Sequence, residues 1–167
     1  MTNKKLIIFT DSGDTIIDEA TQVRDERGIV LKADFIPGAG EVLKQLHDEG
    51  FTVALVADGE WESFQNVYRE NGLGYCFDAW IVSEVVGKQK PEPIMFETAM
   101  KALKLTDEDR SRIVMIGNNS HLQWPTISSR CRLRDICEIC LIGSRGKEFL
   151  ICDGTFNLLD LLSNFAM

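Results

Sequence analysis

The sequence predicts an α/β fold of three layers, a central and mostly parallel sheet with helices on both faces and a short β-hairpin flap after the first strand. Three observations predict it. Strand-length apolar runs alternate with helical segments along the chain, the pattern of a parallel sheet built from crossover units. The first run, within LIIFTDSGDT at residues 6–15, stops at Asp11 and a glycine-containing turn; the carboxyl edge of such a strand is where open α/β sheets bind ligands. The composition is globular, with 44% apolar and 26% charged residues in a chain of 167, enough for one core of ordinary size.

Strands are expected at residues 6–10, 52–57, 79–83, 112–116 and 138–142, and helices at 40–49, 61–71, 92–103 and 156–164. In the first helix Val42, Leu43 and Leu46 form an apolar stripe, and Gly50 stands where a helix-ending glycine belongs. Pro91 and Pro93 open the third helix, the one end at which proline is tolerated. Residues 16–36 interrupt the alternation: short strands at 21–24 and 29–32 around Asp25-Glu26-Arg27-Gly28 read as a hairpin flap. No other segment is long enough for a second domain, so residues 1–167 read as a single one. The charged cluster at 107–110 reads as a solvated turn and helix cap.

The net charge of −8 disfavours nucleic acid as a partner, since binding it requires a basic footprint. The longest apolar runs fall far short of a membrane span. The opening MTNKKLIIF passes straight into a strand-length run with no longer apolar region and no small-residue cleavage site, which predicts a cytoplasmic protein. Five cysteines, at 76, 131, 137, 140 and 152, are an odd count that argues against a disulfide framework. Cys137 and Cys140 flank strand-like sequence rather than a glycine-rich knuckle, which disfavours structural zinc and a redox pair. Nothing in the sequence specifies an oligomeric state.

Four segments in order carry a resemblance. FTDSGDT, PGAGEVLKQLHDEGFTVALVADG, VSEVVGKQKPEPIMF and IVMIGNN lie within residues 5–119, and together they resemble the motifs of the haloacid dehalogenase-like (HAD) hydrolases. The resemblance implies the Rossmann-like core of that family, of the type with a flap in place of a cap domain. It also implies a mechanism: Asp11 attacks phosphorus, or carbon in dehalogenases, and forms a covalent aspartyl intermediate. The repulsion between carboxylate and phosphate is offset by Mg²⁺ and one lysine. Lys90, directly before Pro91, matches that lysine, with Lys88 as the alternative. The implied metal positions are Asp11, Gly13 and Asn118. Thr15 matches a threonine that buttresses the loop.

The chain departs from the pattern at four places. The family's phosphatases usually carry a second Asp two residues after the nucleophile, as leaving-group acid; here that position is Gly13, and Asp14 follows. Loss of a general acid typically costs a factor of about 10²–10⁴. Asp14 has three readings, acid–base group, metal ligand, or turn support, of which turn support is preferred. The Ser or Thr expected after the second strand is Ala57; the backbone N–H groups of Asp58 and Gly59 remain as oxyanion donors, and the Asp58 side chain reads as a cap for the helix beginning at Trp61. The metal motif's Asp is replaced by Asn118 and Asn119, whose amides bind Mg²⁺ without charge. No acid occurs from Ser120 until Asp135; residues 120–135, with His121, Gln123, Trp124 and Pro125, form a divergent segment.

The expected function is therefore a Mg²⁺-dependent phosphohydrolase with Asp11 as nucleophile and Lys90 as charge clamp, acting on a phosphorylated small molecule or macromolecule. Gly13, Ala57, Asn118 and Gln123 keep a second reading in view, a catalytically impaired domain that serves as a binding or regulatory module. A third, carbon–halogen chemistry, needs no leaving-group acid and no metal. It requires a tight apolar pocket that a chain without a cap supplies poorly.

Overall fold

In a computed structural model of the chain, residues 5–118 are described in full, and beyond them the backbone of three strands. The parallel core of the sheet follows from short, almost wholly apolar runs: β1 (Ile7–Thr10), β4 (Thr52–Ala57), β5 (Ala79–Val82) and β6 (Ile113–Gly117). Runs of this kind suit strands covered on both faces. Between β1 and β4 lie the hairpin strands β2 (Val23–Arg24) and β3 (Val30–Lys32) and helix α1 (Ala39–Asp48). Helix α2 (Trp61–Glu70) links β4 to β5, and α3 (Ser83–Val86) with α4 (Pro93–Ala102) links β5 to β6.

The sheet order is β5-β4-β1-β6-β7-β8-β9, with β7 (Cys137–Leu141) parallel to β6, and β8 (Phe149–Ile151) and β9 (Gly154–Phe156) antiparallel at the edge. The chain thus runs outward from β1 through β4 to β5, then returns to add β6 on the other side of β1. This reversal opens a crevice at the carboxyl end of β1. Thr10 is paired with Leu55 on one side and Ile116 on the other, so Asp11 leaves β1 inside that crevice.

Successive residues of a strand face opposite sides of a sheet, and the two cores follow that alternation. Ile8, Val53 and Leu55 pack with Leu43 and Leu46 of α1 and with Phe64, Val67 and Tyr68 of α2. Ile7, Phe9, Ala54 and Val56 pack with Met95, Phe96, Ala99 and Met100 of α4. Pro93 stands in the first turn of α4, and Gly50, at φ 72°, follows α1. The hairpin is fastened to α2: Arg27 pairs with Glu62 at 2.8 Å, Val30 N–H donates to Ser63 Oγ at 3.0 Å, and Asn66 Nδ2 donates to the Val30 carbonyl at 3.0 Å.

The expected three-layer fold with its flap is present, with shifts at element ends. The strand expected at 79–83 ends at Val82, because Ser83 opens the single turn of α3. The strand expected at 138–142 is β7, one residue earlier. Of the helix expected at 156–164, Phe156 belongs to β9, and residues 157–164 lie outside the described residues, as do the divergent segment 120–135 and Cys131 and Cys152. No helix among the described residues is long and apolar enough to cross a membrane.

The cluster at 107–110 is the expected turn and cap, with Asp107 and Glu108 exposed and Asp109 buried. It lies in a 3-10 turn, Asp107–Arg112, whose cap is reciprocal: the Thr106 side chain accepts from the Asp109 backbone, and Asp109 Oδ2 accepts from Thr106 N–H at 2.9 Å. Asp109 is buried and also accepts from Arg112, which in turn donates to the Lys5 carbonyl and so ties the entry of β6 to that of β1. The Thr106 N–H and the Arg112 guanidinium hold the Asp109 carboxyl down at about 2. A carboxylate with a depressed pKa stabilises the fold above its unfolded pKa and loses that contribution as pH falls toward the folded value. Asp109→Asn is therefore expected to lower unfolding free energy by about 1 kcal/mol at pH 7, with the gap to the unaltered chain narrowing below pH 4; urea titrations across that range measure it.

Candidate active site

The site begins with the turn that follows β1. Asp11 N–H donates to the Ile116 carbonyl at 2.8 Å, extending the β1–β6 ladder by one bond. The Ser12 carbonyl then accepts the N–H groups of Thr15, Ile16 and Ile17, which folds the chain back on itself. Asp14 takes a left-handed conformation at φ 49° and accepts from Glu19 N–H at 3.1 Å. That arrangement agrees with turn support. Thr15 is buried, but its Oγ1 finds no hydrogen-bond partner among the described residues, so its contribution to the loop is packing.

Lys90, from the crossover between β5 and β6, reaches this turn. Its Nζ lies 2.7 Å from Asp11 Oδ1, with 1% of its side chain and 16% of that of Asp11 exposed. Ser12 N–H also donates to Asp11 Oδ1 at 2.8 Å. Both contacts fall on one oxygen, and Oδ2 meets no donor among the described residues. A buried ammonium requires a counter-charge, and Asp11 supplies it while keeping one oxygen free. Lys88 is exposed, and the ion pair belongs to Lys90.

Asp58 corrects an expectation. It does not cap α2: the cap position is Glu60, with no side-chain capping bond, and Trp61 N–H donates to Glu84 Oε2 at 2.8 Å. Asp58 Oδ1 instead accepts from Lys90 N–H at 3.0 Å, fixing the backbone that carries the lysine. Burial raises the Asp58 carboxyl against the lowering effect of that N–H and the Lys90 charge, and Asp11 adds to the rise. Gly59 N–H, expected as an oxyanion donor, already donates to Ser83 Oγ at 2.9 Å. That leaves the Asp58 N–H without a partner among the described residues. Gly59 has φ 146°, and a Cβ there would press to 3.2 Å against the Phe64 ring. Ala57 is buried at the end of β4 and adds no hydroxyl.

Two contributions escaped sequence reasoning. The Ser12 hydroxyl and the buried Tyr68 hydroxyl share a hydrogen bond at 2.7 Å across 56 positions, and burial raises the Tyr68 phenol above its ordinary range. The Glu19 carboxylate folds back over Gly13. Partial burial, then the charges of Asp14 and Asp11, push its carboxyl up against the pull of Arg24.

Asn118 is exposed one residue past β6, beside the strand that delivers Asp11. The Asp11 carboxylate, the Gly13 carbonyl, which accepts no hydrogen bond among the described residues, and the Asn118 amide are all oxygen donors. Such a set fits a hard cation that keeps several waters. It holds one carboxylate, and no group of three or more His, Cys, Asp or Glu side chains is gathered for a metal among the described residues.

Residues 4–120 match the model of the haloacid dehalogenase-like hydrolases, and the chain belongs to that family. It is 34% identical over 84 residues to the pyrophosphatase PpaX of Halalkalibacterium halodurans, covering 50% of this chain and 38% of that protein. It is 29% identical over 87 residues to a glyceraldehyde 3-phosphate phosphatase of Pyrococcus abyssi, covering 50% of this chain and 34% of the relative. The chain thus spans well under half the length of these relatives. Among solved structures, a HAD-superfamily hydrolase from Ehrlichia chaffeensis superposes with a TM-score of 0.59 at 17% identity, covering 71% of this chain and 82% of the other. A HAD phosphatase from Thermococcus onnurineus gives 0.58 at 16%, covering 71% and 79%. At these identities the likeness is one of fold.

Removing one partner of a buried ion pair leaves an uncompensated charge and typically costs about 3–5 kcal/mol, whereas replacing both is often near neutral. Lys90→Met is expected to lose about 3 kcal/mol of stability, toward the low end because Asp11 is partly exposed, and the double variant Asp11→Asn/Lys90→Met to recover most of it. Chemical denaturation of the three variants measures this cycle.

Proposed function

We propose that the chain is a phosphohydrolase that works through an aspartyl-phosphate on Asp11. The observation that carries this reading is the ion pair between Lys90 and Asp11, a buried cation holding one oxygen of a carboxylate at the carboxyl edge of the central strand. Oδ2 is the oxygen left to attack phosphorus, and a carboxylate needs no activating base at neutral pH. Lys90 neutralises charge as a phosphoryl group arrives. The Asp58 N–H stands at the next strand end as a donor to a phosphate oxygen, Asp58 and Gly59 shape that corner with Ala57 buried behind them, and Thr15 packs within the turn after β1. Asp14 holds the turn.

Asp11, Asp14 and Asp58 outnumber Lys90 at this edge, so a phosphate is repelled unless further positive charge is supplied. Asp11, the Gly13 carbonyl and Asn118 would hold Mg²⁺, which would supply that charge and polarise phosphoryl oxygens. The phosphatase names of the relatives support a phosphorylated substrate. Among the described residues a flap stands in place of a cap domain, which suits small and macromolecular phosphates alike.

Turnover of p-nitrophenyl phosphate and acetyl phosphate, with Mg²⁺ and after its removal by chelator, tests the reading. Activity is expected with Mg²⁺ and is lost without it. Asp11→Asn is expected to lower kcat/KM by at least about 10³-fold, equivalent to about 4 kcal/mol of transition-state stabilisation. Mg²⁺-dependent activity that survives Asp11→Asn removes Asp11 from the nucleophile's role.

A further inference from the structure

Cleavage of a phosphate ester leaves an oxygen that must gain a proton, and a group placed to deliver it typically contributes a factor of about 10²–10⁴. Asp14, Glu19 and Asp58 place their carboxyl groups near that of Asp11. Asp11 is held by Lys90 through Oδ1. Asp58 Oδ1 is engaged by Lys90 N–H, and Asp14 Oδ1 by Glu19 N–H. Glu19 differs from these three, because its carboxylate accepts no hydrogen bond from any described residue.

Its position is specific. A Cβ built on Gly13 would lie 1.8 Å from Glu19 Oε1 and 2.5 Å from its Cδ. The carboxyl group therefore fills the volume that a side chain two residues past Asp11 would need. Gly13 is not among the residues with positive φ, so its backbone does not demand glycine; the space does. Glu19 opens a 3-10 turn capped by Asp18, whose side chain accepts from Ala20 N–H at 3.0 Å. The same turn is tied to the flap's return, where Asp34 N–H donates to Thr21 Oγ1 at 2.8 Å.

We propose that Glu19 is the general acid of this site, a carboxyl group delivered from the foot of the flap over the bare backbone of Gly13. The proposal rests on the reading of Asp11 as nucleophile. As Asp11 Oδ2 bonds to phosphorus, the bond from phosphorus to the leaving oxygen breaks. Its electron pair stays on that oxygen, which takes the proton of Glu19. Water then attacks the phosphorus of the aspartyl-phosphate and gives a proton to the Glu19 carboxylate. The electron pair of the cleaved bond returns to Asp11, and inorganic phosphate leaves.

The test compares kcat/KM of the full chain, with Mg²⁺, on p-nitrophenyl phosphate, whose phenolate leaves readily, and on glycerol 2-phosphate, whose alkoxide does not. Glu19→Gln is expected to lower the glycerol phosphate value by about 10²–10⁴-fold and the p-nitrophenyl phosphate value far less. Gly13→Asp/Glu19→Ala, which clears that volume and puts a carboxylate back from the other side, is expected to recover the glycerol phosphate rate. An equal loss on both substrates, or no loss on either, overturns the role of Glu19. If that happens while Asp11→Asn is inactive, the nucleophile stands and only the acid is reassigned. Absence of turnover by the unaltered chain on both substrates overturns the two together.

Discussion

The ion pair between Lys90 and Asp11 is the constraint around which the rest of the site is organised. A lysine with almost no exposed side chain persists only where a carboxylate is fixed within reach, so both backbones have to be held. The β1–β6 ladder, extended through Asp11 N–H, holds one; Asp58, accepting from Lys90 N–H, holds the other. Asp58 is itself anchored at the end of β4, the other neighbour of β1. Three adjacent strand ends thus converge on a single charge pair, and the reversal of strand order at β1 is what makes them adjacent.

Several features were legible because they depend on local pattern. The apolar runs marked β1, β4, β5 and β6 to within a residue or so at each end, since strands covered on both faces have little other composition available. Pro93 and Gly50 marked helix ends through backbone restrictions that act locally. Asp11 and Lys90 were legible as a pair only through the resemblance, since nothing in either segment alone states that they meet.

The misreading of Asp58 shows where such reasoning stops. An Asp shortly before a helix has a local use as a cap, and local rules favour it, yet its partner is the backbone of a residue 32 positions away. Ser12 and Glu19 were missed for related reasons. The partner of Ser12 lies 56 positions off on α2. The placement of Glu19 depends on how the turn from Ser12 to Ile17 folds back, which no periodicity encodes. Gly13 was read as a loss; the geometry presents it as room.

The hydrogen bond between Ser12 and Tyr68 carries a consequence of a different kind. Tyr68 is a fully buried core residue, in edge-to-face contact with Phe35, Phe77 and Trp80, and its hydroxyl ends beside the residue that follows Asp11. The aromatic interior and the loop that follows β1 therefore share one degree of freedom. Sequence drift in that interior is filtered twice, once for how well the rings fill space and again for where the tyrosine oxygen comes to rest. A repacking that preserves volume but rotates the ring leaves the fold intact and displaces the loop, so this half of the core is less free to vary than the half packed against α4.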